Sequence, residues 1–194
     1  MAHGHTRMFV KQLFANFRDT GAIAPSSDEL AQRIVDFAGF DSGAVVAEYG
    51  PGTGVFTKRI LERLAPRQCF FAVEINEDFA KTLRHRFPGL HLHVGSAENV
   101  KEYCAAEGVD HVDCVVSGLP WANFPDELQE AILGSMLEVL PKGGVFVTFA
   151  YLQGLVMPAG RTFKSKLKKK FSKVENSGVV WKNIPPAIIY RCRK

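Results

Sequence analysis

The stretch Val45-Val46-Ala47-Glu48-Tyr49-Gly50-Pro51-Gly52-Thr53-Gly54 dictates the fold of the rest of the chain. A short apolar run ends in an acid, three glycines then alternate at 50, 52 and 54, and an amphipathic segment begins at Val55. That order predicts a buried strand over 45–49, a tight loop and a helix start. Glycine at these places lets the backbone turn sharply and approach a ligand, because no Cβ stands between the main-chain N–H groups and what they contact. The spacing departs from the dinucleotide fingerprint, whose third glycine would fall on Val55, and the Gly-Lys-Ser/Thr ending of a phosphate loop is absent.

A second acid follows at the right interval. Glu74 closes the apolar run Cys69-Phe70-Phe71-Ala72-Val73, about twenty residues after the glycines, where doubly wound nucleotide sites place the carboxylate that binds ribose hydroxyls. Beyond it the chain alternates: strands over 69–74, 90–94, 111–116 and 145–150 are separated by helices over 55–65, 77–87, 97–106 and 125–140. Such alternation predicts right-handed crossovers and a parallel sheet with helices on both faces. Two further strand-like runs, 178–181 and 187–192, flank Ile184-Pro185-Pro186. Towards the N-terminus, Phe9, Leu13 and Phe17 recur every four residues in an amphipathic helix over 7–18. Ser26 and Glu29 have capping-box spacing at the head of a second helix that turns Leu30, Ile34 and Phe37 inward and stops at Gly39.

With 194 residues, 46% of them apolar, the chain is expected to be one domain, with a lid over 1–39 and a core over 40–194. Cys69, Cys104, Cys114 and Cys192 show no C-x-x-C pair, so they are expected to be reduced thiols of a cytoplasmic protein. There is no signal-peptide pattern, and the longest uncharged stretch, 143–160, is broken by glycines and Pro158, so no membrane span is expected. His91 and His93 share a strand face without an obvious third ligand, and no metal is expected. Net charge is +4, yet residues 161–173 hold seven Lys/Arg and no acid. Phe163, Leu167 and Phe171 recur every four residues there, so a helix in this basic insertion is expected to lie on a membrane, aromatics down and lysines at anionic headgroups. Nucleic-acid backbones would be served by the same charges.

Glu48-x-Gly50-x-Gly52-x-Gly54 with Glu74 resembles the cofactor motifs of the class I S-adenosylmethionine-dependent methyltransferases. The resemblance implies an α/β, Rossmann-like fold with a seven-stranded, mostly parallel sheet, its last strand antiparallel, and an N-terminal helical lid. It implies S-adenosylmethionine held by Glu48, Tyr49, Gly50, Gly52, Gly54, Glu74 and Ile75, with Ser96, Ala97, Ser117 and Leu119 completing the pocket. Ser96 stands where many members have an acid.

Two branches of that family are similar to this chain. The ribosomal RNA adenine dimethyltransferases carry Asn-Leu-Pro-Tyr where this chain has Gly118-Leu119-Pro120-Trp121, and Ala15-Asn16-Phe17 partly echoes their N-terminal motif. The bacterial phospholipid N-methyltransferases are closer: Thr20-Gly21-Ala22 through Pro25-Ser26, Ser117 to Pro120, and Trp181 to Ala187 all match their motifs. That resemblance implies methyl transfer to the amine of phosphatidylethanolamine at a membrane surface, with Tyr151 orienting the amine and Phe17, Trp121 and Trp181 facing it. An RNA adenine, a small amine, or binding without turnover remain the alternatives.

Overall fold

The computed structural model describes residues 26–194. The expected helix over 7–18, with Phe9, Leu13 and Phe17, lies outside them.

The described chain runs α1 (Asp28–Ala38), β1 (Val46–Tyr49), α2 (Val55–Arg63), β2 (Phe70–Glu74), α3 (Glu77–Arg86), β3 (His91–Val94), α4 (Val100–Glu107), β4 (Cys114–Ser117), α5 (Asp126–Val139), β5 (Val145–Tyr151), α6 (Leu152–Val156), α7 (Pro158–Lys170), β6 (Lys173–Asn176) and β7 (Ala187–Arg193). Short 3-10 turns stand at Ala97–Asn99 and Trp121–Asn123. One seven-stranded sheet forms in the order β3-β2-β1-β4-β5-β7-β6, with β1 to β5 parallel and β7 antiparallel to both its neighbours.

Burial explains why these short runs are strands. Every residue of β1, β2 and β4 is buried, as a central parallel strand covered on both faces must be. Alternate side chains serve two cores. Ala47, Phe71, Val115 and Phe146 pack towards α4, α5 and α7, whereas Val46, Ala72, Val116 and Val147 pack towards α1 and α2. Local signals set the helix starts: Asn76 Oδ1 accepts the N–H groups of Asp78 and Phe79 at 2.9 and 3.3 Å.

The structure corrects three expectations, on the first cap, the sixth strand and the basic insertion. The first cap is Ser27, one residue later than the capping-box spacing suggests, its Oγ accepting the Leu30 N–H at 3.1 Å. Helix α1, the described part of the expected lid over 1–39, packs on the sheet, with Leu30, Ala31, Ile34, Val35 and Ala38 at most 1% exposed. The sixth strand is Lys173–Asn176 and not 178–181, where only Val180 forms a bridge, to Ala187. The basic insertion is helical in α7, but Phe163, Leu167 and Phe171 are buried. Phe163 stacks on Trp121 at 5.2 Å and Phe171 on Phe146 at 5.8 Å. An apolar helix face that meets the protein's own sheet is removed from water there, so it does not face lipid.

Candidate active site

The sheet reverses its strand order between β1 and β4, and ligands of open α/β sheets sit at the carboxyl ends beside such a point. Here the chain closes on itself tightly. The Gly118 N–H donates to the Tyr49 carbonyl at 2.8 Å, and a Cβ at Gly118 would stand 2.5 Å from the Gly50 carbonyl oxygen. Gly50 and Gly54 have φ of 69° and 83°, and a Cβ would meet Leu119 Cδ2 at 2.6 Å or Phe87 Cε2 at 2.5 Å. Glycine is required at these positions by space as well as by backbone sign.

The two acids are both buried but play different parts. Glu74 Oε2 accepts the Gly52 N–H at 3.0 Å and Oε1 the Asn76 N–H at 2.8 Å, tying the end of β2 to the glycine loop. Each oxygen keeps acceptor capacity on the cavity side. Burial raises its pKa, against the lowering effect of those N–H groups. Glu48 points to the other side of the loop: Oε2 accepts from Thr57 Oγ1 at 2.7 Å, while buried Oε1 has no partner. Burial pushes its carboxyl up to about 8, with the Thr57 hydrogen bond opposing.

A narrow recess between β1, β2, β3 and β4 is lined by Gly50, Glu74, Ile75, Ser96, Ala97 and Leu119. A larger cavity of about 470 Å³ adjoins it, sharing Gly50, Glu74 and Leu119 and adding Gly52, Trp121, Phe149, Tyr151, Phe163 and Tyr190. The structure therefore brings Gly50, Gly52, Glu74, Ile75, Ser96, Ala97, Leu119, Trp121 and Tyr151 to one continuous site.

The remaining expected residues stand elsewhere. Glu48 and Gly54 lie behind the loop, and the Tyr49 side chain is fully buried in the core with no partner for its hydroxyl. The Ser117 hydroxyl accepts the Trp121 Nε1–H at 3.0 Å and the Leu119 N–H at 3.3 Å, so it shapes the loop after β4 from beneath. Trp181 is 69% exposed and borders neither space. Ser96 donates to Glu98 Oε2 at 2.7 Å, so a carboxylate does stand beside this position, two residues downstream.

Sequence reading missed Tyr190. It is 1% exposed, borders the larger cavity, and its hydroxyl has no hydrogen-bond partner among the described residues. Burial raises the pKa of both Tyr190 and Tyr151, so both phenols are neutral and serve as hydrogen-bonding groups. Glu74, Tyr151 and Tyr190 are the titratable side chains among the described cavity lining. At the far edge of the sheet, Glu107 bridges His91 Nδ1 and His93 Nε2 at 2.5 and 2.7 Å, an acid that sequence spacing did not reveal. Among the described residues no group of three such side chains is placed to hold a metal ion.

A glycine loop that no Cβ obstructs and a buried carboxylate with spare acceptor capacity, both lining the cavity, together suit a ligand that carries ribose hydroxyls. Comparison with known proteins agrees. A sequence model for a methyltransferase domain matches residues 46–144. An ornithine lipid N-methyltransferase of Singulisphaera acidiphila is 30% identical over 96% of this chain and 94% of its own length. A ribosomal RNA small subunit methyltransferase A of Fusobacterium nucleatum is 28% identical over 50% of this chain, which spans only 35% of that relative. Among solved structures, the O-methyltransferase TomG of Streptomyces achromogenes, in complex with SAM, superimposes with a TM-score of 0.66 at 18% identity, covering 92% of this chain and 86% of its own. TrmN from Thermus thermophilus gives 0.63 at 17% identity over 86% of this chain and 49% of its own.

Proposed function

The chain belongs to the class I S-adenosylmethionine-dependent methyltransferases, and from that membership we propose that it methylates the primary amine of a membrane lipid headgroup, phosphatidylethanolamine or a lipid with an amino-acid head. The observation that carries this reading is the larger cavity, walled by Trp121, Phe149, Tyr151, Phe163 and Tyr190 with no lysine, arginine, histidine or aspartate among its described lining.

When bound, the cofactor supplies a methyl carbon already activated by its sulfonium. The backbone of Gly50 to Gly54 and the Glu74 carboxylate would hold it, with Ile75, Ser96 and Ala97 enclosing the flat end in the recess. The chain's remaining work is alignment and exclusion of water. Apolar walls disfavour an ammonium, so an amine entering the chamber is driven towards its neutral, nucleophilic form and releases its proton to solvent on the way. The Tyr190 and Tyr151 hydroxyls then accept its N–H groups and fix the lone pair's direction. As methyl groups accumulate the nitrogen loses N–H donors, and the aromatic faces offer cation–π attraction of about 0.5–2 kcal/mol to the product.

Position 118 favours a lipid over an RNA adenine. The Asn that holds the base in the related RNA enzymes falls on Gly118, where a Cβ would stand 2.5 Å from the Gly50 carbonyl oxygen, so this backbone has no room for a base-holding side chain. The similarity to an ornithine lipid N-methyltransferase points the same way. The test is incubation with methyl-labelled cofactor and vesicles containing phosphatidylethanolamine, an ornithine lipid, or neither, followed by separation of the products. Label in a lipid with an amine headgroup is expected; label confined to added RNA overturns the assignment.

A further inference from the structure

We propose that the rim at the carboxyl end of β5, together with one flank of α7, is the surface that docks the protein on an anionic lipid bilayer; this deepens the lipid-amine reading above and rests on it. Among the described residues the exposed large apolar side chains are Leu61, Val156, Met157, Trp181 and Ile184. All but Leu61 lie in two connections at one end of the sheet. β5 ends at Tyr151, which pairs with Ala187 at the start of β7, so the chain after β5 and the turn before β7 meet there. The Leu152 N–H donates to the Pro186 carbonyl at 2.9 Å and joins them.

The turn is held in place from beneath. Buried Asn183 accepts the Ser27 N–H at 2.8 Å and donates to the Pro185 carbonyl at 2.7 Å. Trp181 and Ile184 are thereby kept 69% and 80% exposed on a fixed backbone.

Helix α7 divides its charges by flank. Lys166 pairs with Asp126 and Glu130 of α5 at 2.7 and 3.1 Å, and Lys170 pairs with Glu130 at 2.7 Å, so these two cations fasten the helix. Met157, Arg161, Lys164 and Lys168 fall at steps of four, three and four, which places them in one stripe along the other side. Arg161, Lys164 and Lys168 have no ion-pair partner among the described residues. Met157 borders the larger cavity, so the stripe begins at its mouth. From Leu152 to Pro186 the sequence has one acid, Glu175, which is already paired with Lys173 and Arg191 at 2.8 and 3.2 Å.

Exposed aliphatic and indole side chains beside uncompensated cations match a bilayer surface, the former entering the acyl boundary and the latter meeting phosphates. A second copy of the chain would set these cations against their own kind across a two-fold axis, and a nucleic acid would leave Val156 and Ile184 without an apolar partner. Docked in this way, the cavity mouth faces the headgroup layer, and a lipid amine reaches it without leaving the membrane.

The test is co-sedimentation of the full chain with phosphatidylcholine vesicles, with and without phosphatidylglycerol, so that docking is read without a methyl acceptor. Arg161→Glu/Lys164→Glu/Lys168→Glu is expected to weaken binding to the anionic vesicles about tenfold or more. Lys81→Glu/Lys101→Glu/Lys142→Glu, the same charge change elsewhere on the surface, is expected to bind nearly as the unmodified protein does. Trp181 emission is expected to shift to the blue on vesicle addition, and Trp181→Ser/Ile184→Ser to weaken binding to both vesicle types. Cofactor affinity measured on each variant establishes that it is folded. Equal losses in the two charge triples, vesicle binding untouched by the stripe variant, or loss of self-association in its place overturns the proposal. Failure of the lipid-amine reading is scored separately, by whether the unmodified protein labels any lipid dispersed in detergent.

Discussion

Two tyrosines carry buried hydroxyls without partners, and they separate stability from function. Tyr49 lies in the core away from the cavity, whereas Tyr190 borders it. A buried hydroxyl with no hydrogen bond costs about 1–3 kcal/mol, so Tyr49→Phe and Tyr190→Phe are both expected to raise the melting temperature. Only Tyr190→Phe is expected to lower kcat, by about five- to thirtyfold, the equivalent of about 1–2 kcal/mol for one orienting hydrogen bond. Melting curves and turnover of both variants check this, and equal activity of the two removes Tyr190 from the acceptor site. Glu48 gives a pH signature. Its folded pKa, about 8 against an ordinary 4.5, means that the folded state holds a proton that the unfolded chain releases across that window. Its contribution is fully present below about pH 4.5 and is lost as pH rises through about 8. Without cofactor, the stability advantage of the natural protein over Glu48→Gln should therefore shrink from pH 5 to pH 8, as thermal melts at both ends would read. Glu74 is shifted in the same direction and leaves a residual slope in the variant.

Among the elements, α7 is where a sequence pattern was legible but its partner was not. The four-residue recurrence of Phe163, Leu167 and Phe171 announces an amphipathic helix, and it is one. Periodicity reports that a face is apolar, never what covers it; here Trp121 and Phe146 of the same chain do. Leu167→Ala should accordingly cost about 2–5 kcal/mol in urea denaturation, as for any deeply buried leucine, while Lys168→Ala on the open flank should stay within about 0.5 kcal/mol. Comparable small effects for the two would return the apolar face to solvent or lipid. The sixth strand escaped notice for a related reason. Lys173-Val174-Glu175-Asn176 is a half-exposed edge strand with no apolar run, and its place comes from antiparallel pairing with β7. The strands β1 to β5, apolar runs bounded by glycine, proline or asparagine, carry their signals locally and were legible within three residues at either end.

At the scale of the molecule, the site is a junction of distant segments, and that sets how much of it sequence could disclose. The glycine loop and Glu74 were legible because each is announced by its own strand and turn. Tyr190 and the orphan state of its hydroxyl arise only when β7 returns beside β5, opposite Thr148, and no local pattern marks that. The same junction predicts how the whole chain responds to its cofactor. Glu74 binds the Gly52 N–H, Gly118 binds the Tyr49 carbonyl, and the Gly95 N–H binds the Glu74 carbonyl at 3.0 Å, so the ends of β1 to β4 open or close together. A ligand held by all of them stabilises only the closed state, by about 2.7 kcal/mol at a hundred times its dissociation constant. For a chain of 194 residues that corresponds to a rise in melting temperature of about 5–10 °C. Hydrogen exchange should show where the gain resides. S-adenosylmethionine should slow exchange at residues 50–54, 74–76, 95–97 and 117–119 together and leave the edge strand Lys173–Asn176 unchanged. Slowing confined to one of these segments, or spread evenly through β6, would mean that the cofactor is not held at the junction.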